Sequence, residues 1–180
     1  MTQRFRKALS IAASAAMLCS MLLYLPQDHR LGSWLASAEE VSAEPEGEGT
    51  AESPYQISNA DQLYWFAEHA DTSAHAKLTD DIVVNENLVN SSGDLNSGSY
   101  RSWTPIGNLE ATLGYTCAFS GTFDGDGHTI SGLYDDTGRT YAGFVGELSG
   151  SGTIKNLGIV DSWIRGYHVG GVCGESAGTI

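Results

Sequence analysis

Two aspartates one residue apart, in Asp124-Gly125-Asp126-Gly127, could begin a calcium site, because hard cations take clustered oxygens. An EF-hand loop also needs an oxygen ligand near its fifth position, glycine at the sixth and glutamate at the twelfth. This chain has His128, Thr129 and Asp135 there. A tight Asp-Gly turn between two strands accounts for the same residues, so a turn is expected and a metal is not. A glycoside hydrolase needs two carboxylates about 5–9.5 Å apart across a groove. Asp135 and Asp136 are adjacent, and neighbours on a strand face opposite ways. A glycan lyase needs a basic residue to abstract a proton, and Lys77, Arg101, Arg139, Lys155 and Arg165 share no motif. His69, His75, His128 and His168 lack metal-ligand spacing and are expected at the surface. Tyr134, Tyr141, Trp163 and Tyr167 carry flat apolar faces able to stack on sugars, although packing in a core or ladder explains them more plainly. The expectation is no catalytic residue, no cofactor and no metal.

The elements that would hold these side chains begin after residue 38. Arg4, Arg6 and Lys7 precede an apolar run from Ala8 to Leu25, and Ala36-Ser37-Ala38 ends the stretch. That order is a secretory signal peptide. A retained membrane anchor is the competing reading, since the run lies at the lower limit for spanning a bilayer. Lipidation at Cys19 is rejected, because Leu18 stands where a small residue is wanted. Loss of residues 1–38 removes four basic side chains and one acid, leaving 5 Lys+Arg against 21 Asp+Glu. So acidic a surface repels phosphate-rich partners, which excludes nucleic acid. Membrane contact is expected only through the signal peptide or a downstream anchor.

Residues 39–53 are acidic and nearly free of large apolar side chains, so they read as a flexible linker. Residues 54–118 read as an N-terminal cap and first irregular coil. Tyr55-Gln56-Ile57 is a short strand candidate. Ser58 can then cap a helix over 60–70, whose apolar residues Leu63, Phe66, Ala67 and Ala70 have helical spacing. Lys77-Leu78 and Ile82-Val83-Val84 read as strands, and residues 85–102 as a loop.

From residue 119 to 180 the chain repeats. His128-Thr129-Ile130, Gly152-Thr153-Ile154 and Gly178-Thr179-Ile180 place isoleucines 24 and 26 residues apart. Ala142-Gly143-Phe144-Val145-Gly146-Glu147 matches Gly170-Gly171-Val172-Cys173-Gly174-Glu175, and Ser120-Gly121-Thr122-Phe123 is a degenerate earlier copy. Periods of this size mean solenoids or arrays. Short β-branched or aromatic strands divided by Gly, Asn or Asp select an all-β fold, a parallel β-helix with a short N-terminal capping helix. Stacking predicts one interior ladder of Ile130, Ile154 and Ile180, and another of Leu133 and Leu157. Gly143, Gly146, Gly170, Gly171 and Gly174 are expected to take positive φ at corners or to allow close backbone approach. The chain stops inside a repeat, at Ile180, and is read as an incomplete solenoid, truncated at its C-terminus. Cys117 and Cys173 invite a disulfide in an exported chain. The register sets Cys173 beside Val145 and Phe123. Cys117 then lies on a different part of the perimeter or two coils below, about 9–10 Å away and beyond reach of a bridge, so free thiols are expected.

The blocks Ala142-Gly143-Phe144-Val145-Gly146 and Val169-Gly170-Gly171-Val172-Cys173-Gly174 resemble the GLUG repeat. Residues 119–133 are similar to the lead-in that precedes such repeats, as are Pro54 to Leu63, Leu78 to Ile82 and Trp103 to Gly107. The resemblance covers about residues 49–180. It implies a bacterial cell-surface or secreted protein with a pectin-lyase-like, right-handed β-helix. It also implies adhesion or scaffolding, with a glycan or a host or cell-surface protein as partner. Two alternatives stay open: the N-terminal part of a polysaccharide-active β-helix enzyme, or the stalk of a larger surface metalloprotease. Either would place its active site beyond residue 180. The protease motif His-Glu-x-x-His is absent from this sequence.

Overall fold

The computed structural model describes residues 44–107 and 118–180. The signal peptide expected at 1–38, residues 39–43 and Cys117 fall outside the described residues. Pro54 leads into β1 (Tyr55–Ile57), and helix α1 (Ala60–His69) follows. Asn59 caps the helix, its side chain accepting from the Gln62 N–H at 3.0 Å. Ser58 therefore stands one residue before the cap, and it is held instead by Gln62 Oε1, which accepts from the Ser58 N–H at 2.8 Å. Asn satisfies an orphan helix donor as well as Ser does, so the local chemistry allowed either residue and the register chose. Asn59→Ala is expected to cost about 1 kcal/mol, read as a lower urea midpoint with unchanged slope. Leu63, Tyr64 and Phe66 bury one face of α1 in the core.

Short strands follow: β2 (Ala76–Leu78), β3 (Ile82–Val83), β4 (Thr122–Asp124), β5 (Thr129–Ser131), β6 (Tyr134–Ala142) and β7 (Val145–Leu148). β8 (Thr153–Lys155), β9 (Gly158–Val160), β10 (Trp163–Val169) and β11 (Cys173–Ser176) complete the described chain. They form four sheets, β1-β2-β4-β8, β3-β5-β9, β6-β10 and β7-β11. Every pairing between these strands is parallel. Parallel neighbours cannot be joined by a hairpin, so the chain leaves each sheet and returns. It visits the four sheets in the order β4, β5, β6, β7 and then again as β8, β9, β10, β11. An earlier pass runs through β2 and β3, then touches the other two sheets at Ser102, bridged to Tyr134, and Ile106, bridged to Val145. Among the described residues the class is all-β with one helix, and no sheet closes on itself.

The interior is aliphatic and aromatic. Ile57, Leu78, Phe123 and Ile154 line the first sheet, Ile82 and Ile130 the second, Val145 and Leu148 the fourth. Phe66 of the helix meets Phe123 edge-on at 5.8 Å, Phe123 meets Phe144 at 4.8 Å, and Phe144 stacks on Trp103 at 5.7 Å. Burial of such side chains is worth roughly 1.5–3 kcal/mol each, and it joins strands too short to hold by their ladders alone.

Two expectations about the repeat are overturned. Ile130 and Ile154 stand on different sheets: Ile130 pairs with Ile82 and Ile159, and Ile154 with Phe123. The expected single ladder therefore does not exist, although both side chains are fully buried. Thr179 bridges Thr153, placing Gly178-Thr179-Ile180 over Gly152-Thr153-Ile154, yet Ile180 is 64% exposed. The true counterpart of those tripeptides is Gly121-Thr122-Phe123, not His128-Thr129-Ile130. Leu133 and Leu157 likewise do not stack, since the neighbours of Leu133 lie at Ser162 and Trp163. The second block holds at Val145, which pairs with Cys173, but slips by one residue at its start, where Ala142 pairs with Val169 and not with Gly170. Phe123 is not in that register, because Ile106 is the other neighbour of Val145.

The glycines of the second block do not serve as positive-φ corners, and three of them allow close backbone approach. None of Gly143, Gly146, Gly170, Gly171 or Gly174 has positive φ. A Cβ on Gly143 would meet the Gly170 carbonyl oxygen at 2.7 Å, and one on Gly174 would meet the Ala142 nitrogen at 2.8 Å. Gly170 would collide with the Cys173 carbonyl, whereas Gly171 has room. The linker expectation also fails for residues 44–53. Gln56 donates to the Glu46 carbonyl at 2.7 Å, and His75 to that of Gly49 at 2.8 Å. Gly47 and Gly49, at φ +116° and +71°, let bare backbone pack where apolar side chains are lacking.

Candidate functional site

The Asp124 to Gly127 segment is a turn. Asp126 and Gly127 have φ +52° and +90°, and the His128 N–H donates to the Gly125 carbonyl at 2.8 Å. Its carboxylates are engaged with neighbouring strands. Asp124 Oδ1 accepts from the Asp126 N–H and Asn156 Nδ2, each at 3.0 Å, and Oδ2 lies 3.0 Å from Lys155 Nζ. Asp126 Oδ2 lies 2.9 Å from Lys77 Nζ. Three strands, β2, β4 and β8, are thus stapled across one corner. Among the described residues no group of three His, Cys, Asp or Glu could hold a metal ion.

The corner carries a pH dependence. Partial burial pushes the Asp124 carboxyl up, but the Asp126 N–H, Asn156 and Lys155 outweigh it and hold it below the usual range. Asp81 is held low chiefly by the Thr129 N–H, which it accepts at 2.7 Å. A carboxyl with a depressed folded-state pKa adds stability above its unfolded value and loses it as pH falls through the folded one. The melting temperature is therefore expected to hold from pH 7 to 5 and to fall below the ordinary aspartate value of 3.8. Asp124→Asn should flatten that acid limb, and an unchanged slope would show the staple contributes nothing.

Asp135 and Asp136 face opposite ways. Asp135 is 0% exposed, accepting from the Thr137 N–H at 3.1 Å and its hydroxyl at 2.6 Å. Arg139 Nε lies 3.2 Å from its other oxygen, a contact close enough for charge but not aligned as a hydrogen bond. Asp136 points outward and pairs with Arg165 at 2.8 Å. The two acids share no groove. The histidines do not converge either: His69 stacks on Trp65, His128 lies 3.5 Å from Asp81, and His168 lies against Tyr141. His69 and His168 are exposed, whereas His75 and His128 are half-buried.

What the structure does gather is an outer face on the β6-β10 ribbon. Asp135 and Ile164 pair and turn inward, so their neighbours Tyr134 and Trp163, also paired, take the opposite face, where both are half-buried. Tyr100 joins them, its ring 5.4 Å from that of Tyr134. Farther along, Tyr141 pairs with His168, the rings 5.2 Å apart. Tyr141 hydrogen-bonds to Glu175, which raises its hydroxyl pKa. Between these ends, Asp135 pairs with Ile164 and Arg139 with Gly166, leaving Asp136-Thr137-Gly138 opposite Arg165 alone. This bulge, with Gly138 at φ +70°, sets the Asp136–Arg165 pair beside a groove of about 630 Å³. Tyr167, 85% exposed, stands at its wall.

Tyr134, Tyr141, Trp163 and Tyr167 were singled out by residue type, and all four lie on this ribbon. Tyr100 was missed, because nothing in residues 85–102 has periodicity. Asn85 was missed as well. Its Nδ2 donates to the carbonyls of Arg101 at 3.0 Å and Gly132 at 2.8 Å, and its Oδ1 accepts from the Arg101 N–H at 2.8 Å. That side chain closes the 85–101 loop onto the sheets. Cys173 is a free, half-buried thiol whose pKa burial pushes up.

No family model matches the chain, and no solved structure matches it. Over 144 residues, 78% of this chain, it is 40% identical to halomucin of Haloquadratum walsbyi. It is also 26% identical over 171 residues, 92% of this chain, to a Gly-rich membrane protein of Evansella cellulosilytica. The chain spans 2% of the first relative and 18% of the second. Among the described residues no helix is long and apolar enough to cross a membrane.

Proposed function

We propose that this chain is a secreted or cell-surface repeat module, a right-handed parallel β-helix of GLUG type that serves adhesion or scaffolding without catalysis. The observation that carries the reading is the repeated visiting order of four parallel sheets, with Val145 on Cys173 and Tyr134 on Trp163 in register. A backbone that stacks in this way offers long, regular flanks, and α1 covers apolar surface at its start. The β6-β10 ribbon is the contact flank. Its aromatic rings offer apolar faces to a sugar or protein partner, and the Asp136–Arg165 pair offers directed hydrogen bonds. Similarity to a halomucin and to a membrane protein supports a setting outside the cytoplasm, as does the leader-like start of the chain. A non-catalytic role is supported by the acids: Asp124 and Asp126 are tied to lysines, and Asp135 is buried.

The test has two arms. The full chain produced in an exporting host should appear outside the cell with Glu39 as its first residue. On an array of neutral glycans and on whole cells, the exported protein should be retained, and Tyr167→Ala with Trp163→Ala should weaken retention tenfold or more. Absence of any retention at millimolar sugar and on cells would sink the adhesive role.

A further inference from the structure

The loop at 85–101 carries a chemical signal unrelated to the aromatic flank. Asn90-Ser91-Ser92 is an Asn-x-Ser triplet, the acceptor sequence for N-linked glycan in exported chains, and it is the single such triplet in the sequence. All three residues are exposed. They sit at the tip of a small hairpin, closed by the Val89–Leu95 bridge and by the Asn96 N–H donating to the Leu88 carbonyl at 2.9 Å. Leu88 is buried and anchors it, while Gly93, at φ +83°, has nothing within 4 Å of where a Cβ would stand. The tip is open to a large enzyme.

The amide of Asn90 is oriented for the reaction. Its Oδ1 accepts from the N–H groups of Ser92 at 2.8 Å and Asp94 at 3.0 Å, which leaves Nδ2 pointing away with one long contact, 3.5 Å to Asp94 Oδ2. Asn85 differs: both its carbonyl partners hold Nδ2, and Glu86-Asn87 follow it where a hydroxyl would be required. Beside Asn90 lies a shallow basin of about 430 Å³ that reaches Val83, Ser131 and Asp161. Val83 is 54% exposed, and Val160, in the same row across Ser131, is 41% exposed. A sugar ring attached at Asn90 has room there and an apolar strip to cover.

We propose that Asn90 is an N-glycosylation site and that the attached sugar covers the Val83–Val160 strip. Nδ2 attacks the anomeric carbon of a lipid-pyrophosphate-linked oligosaccharide. The new N–C bond forms as the C–O bond to pyrophosphate breaks, the lipid pyrophosphate leaves, and a base of the transferase takes the Nδ2 proton. The inference rests on export of the chain, so export and modification are read separately.

Trypsin should release Leu78–Arg101 from the exported protein, and that peptide is expected to carry a glycan mass. The mass should vanish in Asn90→Gln and Ser92→Ala and persist in Ser92→Thr, with unchanged melting of the unglycosylated forms. In a second measurement, the purified folded chain is mixed with an oligosaccharyltransferase and its lipid-linked sugar. It should gain the same mass at Asn90, whatever the outcome of export. A bare Leu78–Arg101 peptide from the exported protein, failure of the purified chain to react where a free Asn-Ser-Ser peptide does, or a mass that survives Asn90→Gln overturns the proposal.

Discussion

Trp103→Ala is expected to lower unfolding stability by about 3–5 kcal/mol, the range for deleting a buried tryptophan. Trp103 is fully buried, stacked at 5.7 Å on Phe144 and edge-on at 5.2 Å to Tyr64 of α1. Its indole N–H lies 3.1 Å from the Gly143 carbonyl and 3.2 Å from that of Phe144. One side chain therefore joins the helix, the 85–107 segment and the start of β7. Alanine would leave a cavity and strip those carbonyls of a donor. Trp103→Phe keeps one six-membered ring but loses the five-membered ring with its N–H, so a smaller cost of about 1–3 kcal/mol is expected. Urea unfolding followed by circular dichroism measures both. A domain of ordinary stability, about 5–15 kcal/mol, loses a large share of its margin in the alanine variant. A cost under about 1 kcal/mol would mean that Trp103 does not hold these elements together.

Gly132→Ala is expected to be nearly as damaging, for a reason in the backbone. Gly132 has φ +76°, where an L side chain costs about 1–2 kcal/mol. An added Cβ would also collide with the Asn85 carbonyl oxygen, and overpacking of this kind costs roughly 1–3 kcal/mol more. Displacing Asn85 also unhooks Arg101, so amide exchange at Arg101 should accelerate along with the loss of stability. Gly127→Ala is the control. Its φ is +90°, yet nothing lies within 4 Å of the new Cβ, so only the conformational part is expected. Equal losses in the two variants would remove the collision from the account.

Both expectations concern residues whose importance was hard to see in one dimension. Trp103 is legible only as the first residue of the Trp103 to Gly107 block, and Gly132 as one more glycine between strands. The helix was legible because its periodicity and caps are local, although Asn59 took the cap that Ser58 could also have made. The Gly143 and Gly170 blocks were legible because Gly143, Gly170 and Gly174 lie where neighbouring backbones nearly touch and no Cβ fits.

The isoleucines misled for a complementary reason. The short strands β4, β5 and β8 each bury one large apolar residue between polar neighbours, so Thr-Ile recurs on different sheets and does not say which. Phe123 lies 31 positions before its partner Ile154, whereas Val145 lies 28 before Cys173. The passes differ in length, and no single period reports the register.

Residue types and local spacing determined that this chain would form short strands, one amphipathic helix and a corner of Asp-Gly turns, because those preferences act over a few bonds. Tertiary structure alone decided which strands lie side by side, that Asp135 goes inside and Asp136 outside, and that Tyr100 and Trp163 share a face. Those outcomes depend on hydrogen bonds closed across some thirty residues of chain, and the lengths of the intervening turns set them.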